Sequence, residues 1–471
     1  MERYGGCFRL EWRKVKTDTI AAVATALSNA GIGIIRISGP DAFSVIDRIF
    51  QGKKGEKLSS AKSHTVHYGW ILENKTIIDE VMVLVLRAPH TYTREDTIEI
   101  DCHGGVLIVK KILEVVLQNG ARLAEPGEFT KLAFLSGRID LTQAEAVMDF
   151  IQSENEFARK TSLNQLKGAV SKKVKNLRER ILYEIAFIES ALDDPEHISL
   201  EGYREKLSFS VEEWIAELEQ WLDTSKNGKI LKEGIKTVIL GKPNAGKSSL
   251  MNLLAGEERA IVTEIAGTTR DILIEHITLG EISLNVVDTA GIRETEDIIE
   301  KIGVEKAKDY AKEADFILYV VDSSLPLDQN DEEILSFILD KPAIILFNKT
   351  DLQTMIEKEE LEKRTKKQVI PFSAKQGIGV EKLQQAIKTL FFQEIVSLDH
   401  SVIITNMRQR EALFQALESI KLVRQSIKDK MPEDFYTIDL TSGYEQLGFL
   451  IGESLEEDLV NEIFSKFCMG K

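Results

Sequence analysis

The chain has 471 residues, 43% hydrophobic and 29% charged, with 60 Lys plus Arg against 76 Asp plus Glu and a net charge of −16. That length exceeds one ordinary core and predicts two to four domains. The acidic balance excludes nucleic-acid binding spread over the whole surface, because neutralising phosphates takes clustered cations; a local patch or a basic partner is left open.

Cys7, Cys102 and Cys468 are odd in number and far apart. With no apolar signal region ahead of them, they point to a reducing, cytoplasmic setting. No apolar run reaches the roughly 18 residues that a membrane span needs.

In chain order, residues 1–18 are irregular and charged and are expected to form a flexible leader. Strands are predicted over Thr19–Ala26 and Ile32–Ile37, and a helix over about Asp41–Phe50. Further strands are predicted near Thr65–Leu72, Val81–Leu86 and Thr97–Cys102, and His103-Gly104-Gly105 opens a helix running to Gln118. Together these make an α+β domain over 19–136.

From Leu141 the texture changes. Leu163, Leu166, Val170, Val174, Leu177, Ile181, Ile185, Ile188 and Leu192 recur at spacings of three and four, the apolar stripe of long bundled helices. Asp193-Asp194-Pro195 should end or sharply bend that run, since proline cannot continue it. Another helix is predicted from about Ser210 to Leu231, and a last one carries Leu455, Leu459, Ile463 and Phe467. The helical stretches 137–233 and 396–471 are expected to form one all-α domain, with 234–395 inserted between them as a Ras-like α/β domain.

The inserted segment carries the strongest signal. Gly241-Lys242-Pro243-Asn244-Ala245-Gly246-Lys247-Ser248 fits G-x-x-x-x-G-K-[ST], between a β-branched run at Lys236–Leu240 and helical spacing from Ser249. In that context Asn244, Ala245, Gly246, Lys247, Ser248 and Ser249 would cradle phosphates with backbone N–H groups. Lys247 would reach the β and γ phosphates and Ser248 would hold Mg²⁺.

The partner motifs follow in order. Asp288-Thr289-Ala290-Gly291 ends one predicted strand, where the aspartate can reach Mg²⁺ through water and Gly291 can sense the γ-phosphate. Asn348-Lys349-Thr350-Asp351 ends another, and Asp351 would accept from the guanine N1–H and amine, which adenine does not offer. Ser373-Ala374-Lys375 would cover the base from the other side. The first switch is expected over Thr263, Glu264, Ile265, Ala266, Gly267, Thr268, Thr269, Arg270 and Asp271, with Thr269 the Mg²⁺ ligand that lets go when the γ-phosphate leaves. These motifs in series define a GTPase. Ile292 stands where many small GTPases place a water-orienting glutamine, so hydrolysis needs another group, with Arg293, Glu294, Glu296 and Glu300 nearby.

Beyond residue 17 nearly the whole chain resembles the tRNA modification GTPase MnmE (TrmE) family. The resemblance rests on Gly31–Gly39, Cys102–Gly105, Arg122–Thr130, Gly137–Ala146, the G-T-T-R-D stretch and the terminal Phe467-Cys468-Met469-Gly470-Lys471. It implies an N-terminal domain that binds a tetrahydrofolate derivative, 5,10-methylene or 5-formyl, and pairs with itself into a homodimer. By position Arg36, Glu99, Arg138 and Lys471 are the implied folate contacts, Arg138 standing where a lysine is familiar.

The resemblance also implies a K⁺ ion at Asn244, Thr263, Ile265 and Thr268 in place of an arginine finger, and Glu300 as the water-activating acid. Cys468 is an implied candidate in the modification chemistry, set against a buried inert thiol as the alternative. The implied partner is a flavoprotein resembling MnmG (GidA), carrying FAD and NADH and forming a heterotetramer. The implied reaction adds an aminomethyl or carboxymethylaminomethyl group at C5 of the wobble uridine of certain tRNAs.

The rival from another class is a binding switch of the Era-like, ribosome-assembly kind, which the N-terminal and terminal motifs disfavour. A metal site at Cys102-His103 lacks further ligands at usable spacing. A serine hydrolase lacks a G-x-S-x-G elbow.

Overall fold

The computed structural model describes residues 18–53, 55–153, 155–256, 274–287, 311–396, 403–453, 455, 457–468 and 470. The contacts divide the chain into two compact units, one of 1–148, 165–187 and 440–471, the other of 149–164 and 188–439.

The first unit opens with β1 (Ile20–Val23), β2 (Ile32–Ser38), α1 (Ala42–Ile49), β3 (Phe50–Gly52), β4 (Thr65–Glu73), β5 (Thr76–Leu86) and β6 (Thr97–His103). It continues through α2 (Val106–Gln118), β7 (Arg122–Leu123) and α3 (Glu128–Leu135). The strands form one sheet in the order β3-β4-β5-β6-β2-β1-β7.

Alternation decides which face is buried. Ile35 pairs with Ile100 and Ile37 with Ile98, all four fully buried with α1 and α2 residues such as Ile46 and Ile112. Arg36 pairs with Glu99 between them and so points to the opposite face. A one-residue slip would bury Arg36 and expose both isoleucines, so the apolar pattern fixes the register.

Helices α4 (Leu141–Ile151), α5 (Glu156–Leu166) and α6 (Ala169–Asp193) follow. The stripe predicted over 163–192 is carried by two helices, separated where Gly168 between α5 and α6 has φ +80°. The expected stop at Asp193 is where α6 ends.

In the second unit α7 (Tyr203–Glu233) starts earlier than the predicted Ser210. After it come β8 (Ile235–Leu240), α8 (Lys247–Gly256), β9 (Ile274–Leu279), β10 (Ile282–Val287) and β11 (Phe316–Asp322). Next are α9 (Gln329–Ile338), β12 (Ala343–Asn348), α10 (Lys358–Thr365), β13 (Gln368–Pro371) and α11 (Val380–Val396). The sheet order is β13-β12-β11-β8-β10-β9, parallel except for β9 against β10.

Every residue of β11 is buried. Phe316, Leu318 and Val320 enter one core with Leu250 and Ile387, while Ile317, Tyr319 and Val321 enter another with Leu335 and Leu361. Each such side chain contributes about 1.5–3 kcal/mol by leaving water, and burial on both faces is the signature of a parallel sheet covered by helices.

The chain ends with α12 (Met407–Lys428), which packs on α7, then α13 (Glu433–Ile451) and α14 (Glu457–Ser465). The last helix is shorter than predicted, since Leu455 and Phe467 lie outside it. Both are nonetheless buried with Leu141, Val460 and Phe464, so the period-four stripe reports one shared core rather than one continuous helix.

Candidate functional sites

In the second unit the phosphate loop takes its shape from the strands beneath it. Gly241 has φ +153°, and a Cβ there would sit 2.5 Å from the Val320 carbonyl oxygen. Asn244 adopts a left-handed φ of 59°, which asparagine tolerates better than most residues. Lys247 opens α8 and donates from Nζ to the carbonyls of Gly241 at 2.7 Å and Lys242 at 2.8 Å. Ser248 and Ser249 stand exposed in the first turn, and Ala245 is buried beneath the loop.

Asn348 ties this loop to the two loops on the other side. Its Nδ2 donates to the Ala245 carbonyl at 2.7 Å, and its Oδ1 accepts from the Ala374 N–H at 3.0 Å. A Cβ on Gly246 would lie 2.2 Å from that Nδ2, so the second motif glycine makes room for the bridge. Ser373 donates to Asp351 Oδ1 at 2.8 Å, and Thr350 donates to the Phe372 carbonyl through both N–H and hydroxyl. Lys349, at φ 64°, donates to Asp322 at 2.6 Å. Lys375 is exposed beside them.

The sequence-predicted residues 244–249, Asn348, Lys349, Asp351 and 373–375 are therefore brought together at the C-terminal ends of β8, β12 and β13 of one sheet. Thr263, Glu264, Ile265, Ala266, Gly267, Thr268, Thr269, Asp288, Thr289, Ala290, Gly291 and Glu300 lie outside the described residues. The N-terminal amides of α8 suit an anion, and the hydroxyl of the exposed Ser248 suits a hard divalent cation. Asp351, held by Ser373, offers a carboxylate to paired N–H donors.

In the first unit a different cluster forms. Arg36 Nε donates to Glu99 Oε1 at 2.7 Å, its Nη1 donates to the Gly470 carbonyl at 3.2 Å, and its guanidinium lies 5.6 Å from the Phe129 ring centroid. Arg138 donates to the Tyr92 carbonyl at 3.0 Å and stacks over the Tyr92 ring at 4.8 Å. The Tyr92 hydroxyl pairs with Thr130 Oγ1 at 3.0 Å. Burial raises the Tyr92 pKa, against the Thr130 hydrogen bond and the charges of Arg138 and Arg36. Burial, and then the Glu99 charge, likewise raise the pKa of Asp101 on the same strand.

Tyr92 carries no motif of its own, and the fold brings it and the carbonyl of Gly470, from the terminal motif, to Arg36, Glu99 and Arg138. Cys468 is exposed, unlike the buried inert thiol of the alternative reading, and its carbonyl accepts from the Gly127 N–H at 3.2 Å. Gly127 has φ +68°, and a Cβ on it would lie 2.6 Å from the Phe464 carbonyl. Lys471 lies outside the described residues. Cys102 is buried, and burial with the nearby Asp79 charge pushes its thiol up to about 11.

A glycine-shaped phosphate cradle, bridged by Asn348 to a carboxylate-bearing base loop, defines a P-loop GTPase. The family assignment comes from both ends of the chain. The model of the GTP-binding protein TrmE N-terminus matches residues 19–138, and that of the MnmE helical domain matches residues 141–468. The tRNA modification GTPase MnmE of Lachnoclostridium phytofermentans is 58% identical over 97% of this chain and 100% of its own length. Its namesakes from Acetivibrio thermocellus and Clostridioides difficile are each 46% identical, over 97% and 96% of this chain and 100% and 99% of their own lengths. The chain belongs to the tRNA modification GTPase MnmE family, and it is a GTP-hydrolysing enzyme of tRNA modification that works with GTP and Mg²⁺. Among the described residues no helix is long and apolar enough to cross a membrane.

Proposed function

We propose that this GTPase, working with an MnmG (GidA)-like flavoprotein that carries FAD and NADH, adds an aminomethyl or carboxymethylaminomethyl group at C5 of the wobble uridine. The carbon comes from a 5,10-methylene or 5-formyl tetrahydrofolate held by Arg36, Glu99, Arg138 and Lys471. The observation that carries this reading is the cluster around Arg36 and Tyr92. Its two guanidinium groups suit a glutamyl carboxylate, Glu99 suits the donors of a pterin ring, and Phe129 and Tyr92 supply aromatic faces. The exposed Cys468, two residues from the carbonyl that Arg36 binds, is the candidate nucleophile or acid–base group.

In the nucleotide site Asn244, Ala245, Gly246, Lys247, Ser248 and Ser249 hold the phosphates, and Ser248 with Thr269 holds Mg²⁺. Asn348, Lys349, Asp351 and Ser373–Lys375 hold guanine. Residues 263–269 and 288–291 respond to the γ-phosphate. Asn244, Thr263, Ile265 and Thr268 would hold a K⁺ that supplies positive charge against the negative charge developing in hydrolysis, and Glu300 would orient the attacking water. The protein pairs through its N-terminal domain as a cytoplasmic homodimer, and its G domains close and open with hydrolysis. In domain terms, 19–136 binds folate, 234–395 is the inserted G domain, and 137–233 with 396–471 forms the helical domain.

Titration of the protein with 5-formyl-tetrahydrofolate tests the reading that sets it apart from a pure switch. Saturable binding lost in Arg36→Ala is expected, and no binding to the wild-type chain would favour the switch. GTP turnover in K⁺ against Na⁺ tests the cation, and equal rates would remove the role given to Asn244.

A further inference from the structure

Strand β11 carries none of the nucleotide motifs, yet it lies between the two strands that lead into them. β8 on one side ends at the phosphate loop, and β12 on the other ends at Asn348. Tyr319 pairs in register with Leu240, the last residue of β8, and Asp322 pairs with Asn348. Each therefore sits beside the point where a functional loop departs.

The side chains continue what the register begins. Tyr319, fully buried, donates its hydroxyl to Asp331 Oδ1 at 2.7 Å. Asp331, 2% exposed at the start of α9, accepts at its other oxygen from Lys242 Nζ at 2.7 Å and from the Asp328 N–H at 3.0 Å. Asp328 accepts from Lys242 Nζ at 3.0 Å and from the N–H groups of Asn330 and Asp331, closing a capping box made of two aspartates. Two carboxylates this close repel, and the Lys242 ammonium sits where it neutralises both. Burial alone would lower the Lys242 pKa, but its hydrogen bonds to Asp331 and Asp328 outweigh that and raise it. The carbonyl of the same Lys242 accepts from Lys247 Nζ and from the Ala245 N–H. On the other side Asp322, 6% exposed, receives Lys349 Nζ at 2.6 Å and is fixed by Ser324 through N–H and hydroxyl.

We propose that β11 is a brace that holds the phosphate loop and the base loop in register, with Lys242 the positioning residue of one arm and Asp322 that of the other. Lys242 acts through the carbonyl that orients Lys247, and Asp322 acts through Lys349. The plain alternative is a helix cap and an ion pair that serve stability alone.

Steady-state GTP hydrolysis by the full chain separates the two. Lys242→Met is expected to raise KM for GTP about tenfold with kcat changed less than about threefold, and Lys242→Arg to restore most of the loss. Tyr319→Phe, which removes one hydroxyl from the buried chain of bonds, is expected to raise KM about threefold, and it carries the test if Lys242→Met does not fold. Asp322→Asn is expected to lower the preference for GTP over inosine triphosphate about tenfold, because a loosened Lys349 no longer fixes the base loop.

A fall in melting temperature with KM and base preference within about twofold of wild type would overturn the brace, as would a folded Lys242→Arg that restores nothing. The base arm rests on Asp351 as the guanine acceptor, so Asp351→Asn is measured beside it. If that variant changes base preference and Asp322→Asn does not, the arm fails and the Asp351 assignment stands. If Asp351→Asn changes nothing, the Asp351 assignment fails, and the Lys242 arm decides the brace by itself.

Discussion

The nucleotide site and the Arg36 cluster are built in opposite ways. In the first, runs such as Gly241–Ser248 and Asn348–Asp351 supply contiguous residues, and the Asn348 side chain bridges the phosphate loop to the Ser373–Lys375 loop. In the second, Arg36, Tyr92, Glu99, Arg138 and Gly470 come from scattered points of the chain and meet only when β2 pairs with β6 and the tail returns to them. A loop whose shape follows from its own glycines is most sensitive to change within it, and less so to change in the strand that braces it. A cluster assembled by tertiary contacts is sensitive to each contact, and its effects should stay in its own unit.

The largest expected effect breaks the base side of the first site. Asp351→Asn should shift preference from GTP toward xanthosine triphosphate by roughly 10⁴-fold in kcat/KM, because a donor–acceptor mismatch at the base is costly. A variant that still prefers GTP would remove Asp351 from base recognition. Gly246→Ala comes next. Its Cβ would stand 2.2 Å from Asn348 Nδ2, so loop and bridge must both shift, and kcat/KM for GTP should fall about 100-fold. Retained turnover would mean that the Asn348 bridge is not needed.

Arg36→Ala sharpens the contrast from the other side. It should weaken 5-formyl-tetrahydrofolate binding about tenfold or more by removing a charged fork, while GTP turnover is unchanged. A parallel loss of GTPase activity would show that the two regions are not separable in this way.

The smallest effect is one of pH. Burial alone would raise the Asp322 pKa, but bonds from Lys349 and Ser324 hold it below its ordinary 3.8. A folded pKa below the unfolded one gives stability above the unfolded value, lost as pH falls through the folded one. The stability difference between wild type and Asp322→Asn should therefore be flat from about pH 8 to pH 5, roughly 1–2 kcal/mol, and shrink below about pH 4. A difference that persisted at pH 3 would contradict the ion pair.

What the sequence disclosed follows the same division. The phosphate loop and the N-K-x-D turn were legible because their function lies in local backbone shape. The strands near them were legible because Val, Ile and Phe runs in a parallel sheet are buried on both faces. Helix ends were less so: Gly168 separates α5 from α6 within a stripe whose spacing continues across it, and Leu455 and Phe467 keep the period of α14 from outside it. Tyr92 was invisible, since a tyrosine between two threonines says nothing until Arg138 lies over its ring. Arg36 and Glu99 were named only through the family resemblance; their pairing across β2 and β6 supplies the physical reason for naming them together.

The most direct measurement is nucleoside analysis of tRNA from a strain that lacks this chain, complemented in turn with the wild type, Lys247→Ala and Arg36→Ala. Loss of the modified wobble uridine, restored by the wild type and by neither variant, is the expected result. Normal wobble nucleosides in the strain lacking the chain would contradict the proposed reaction, and full restoration by Arg36→Ala would contradict the role given to its cluster.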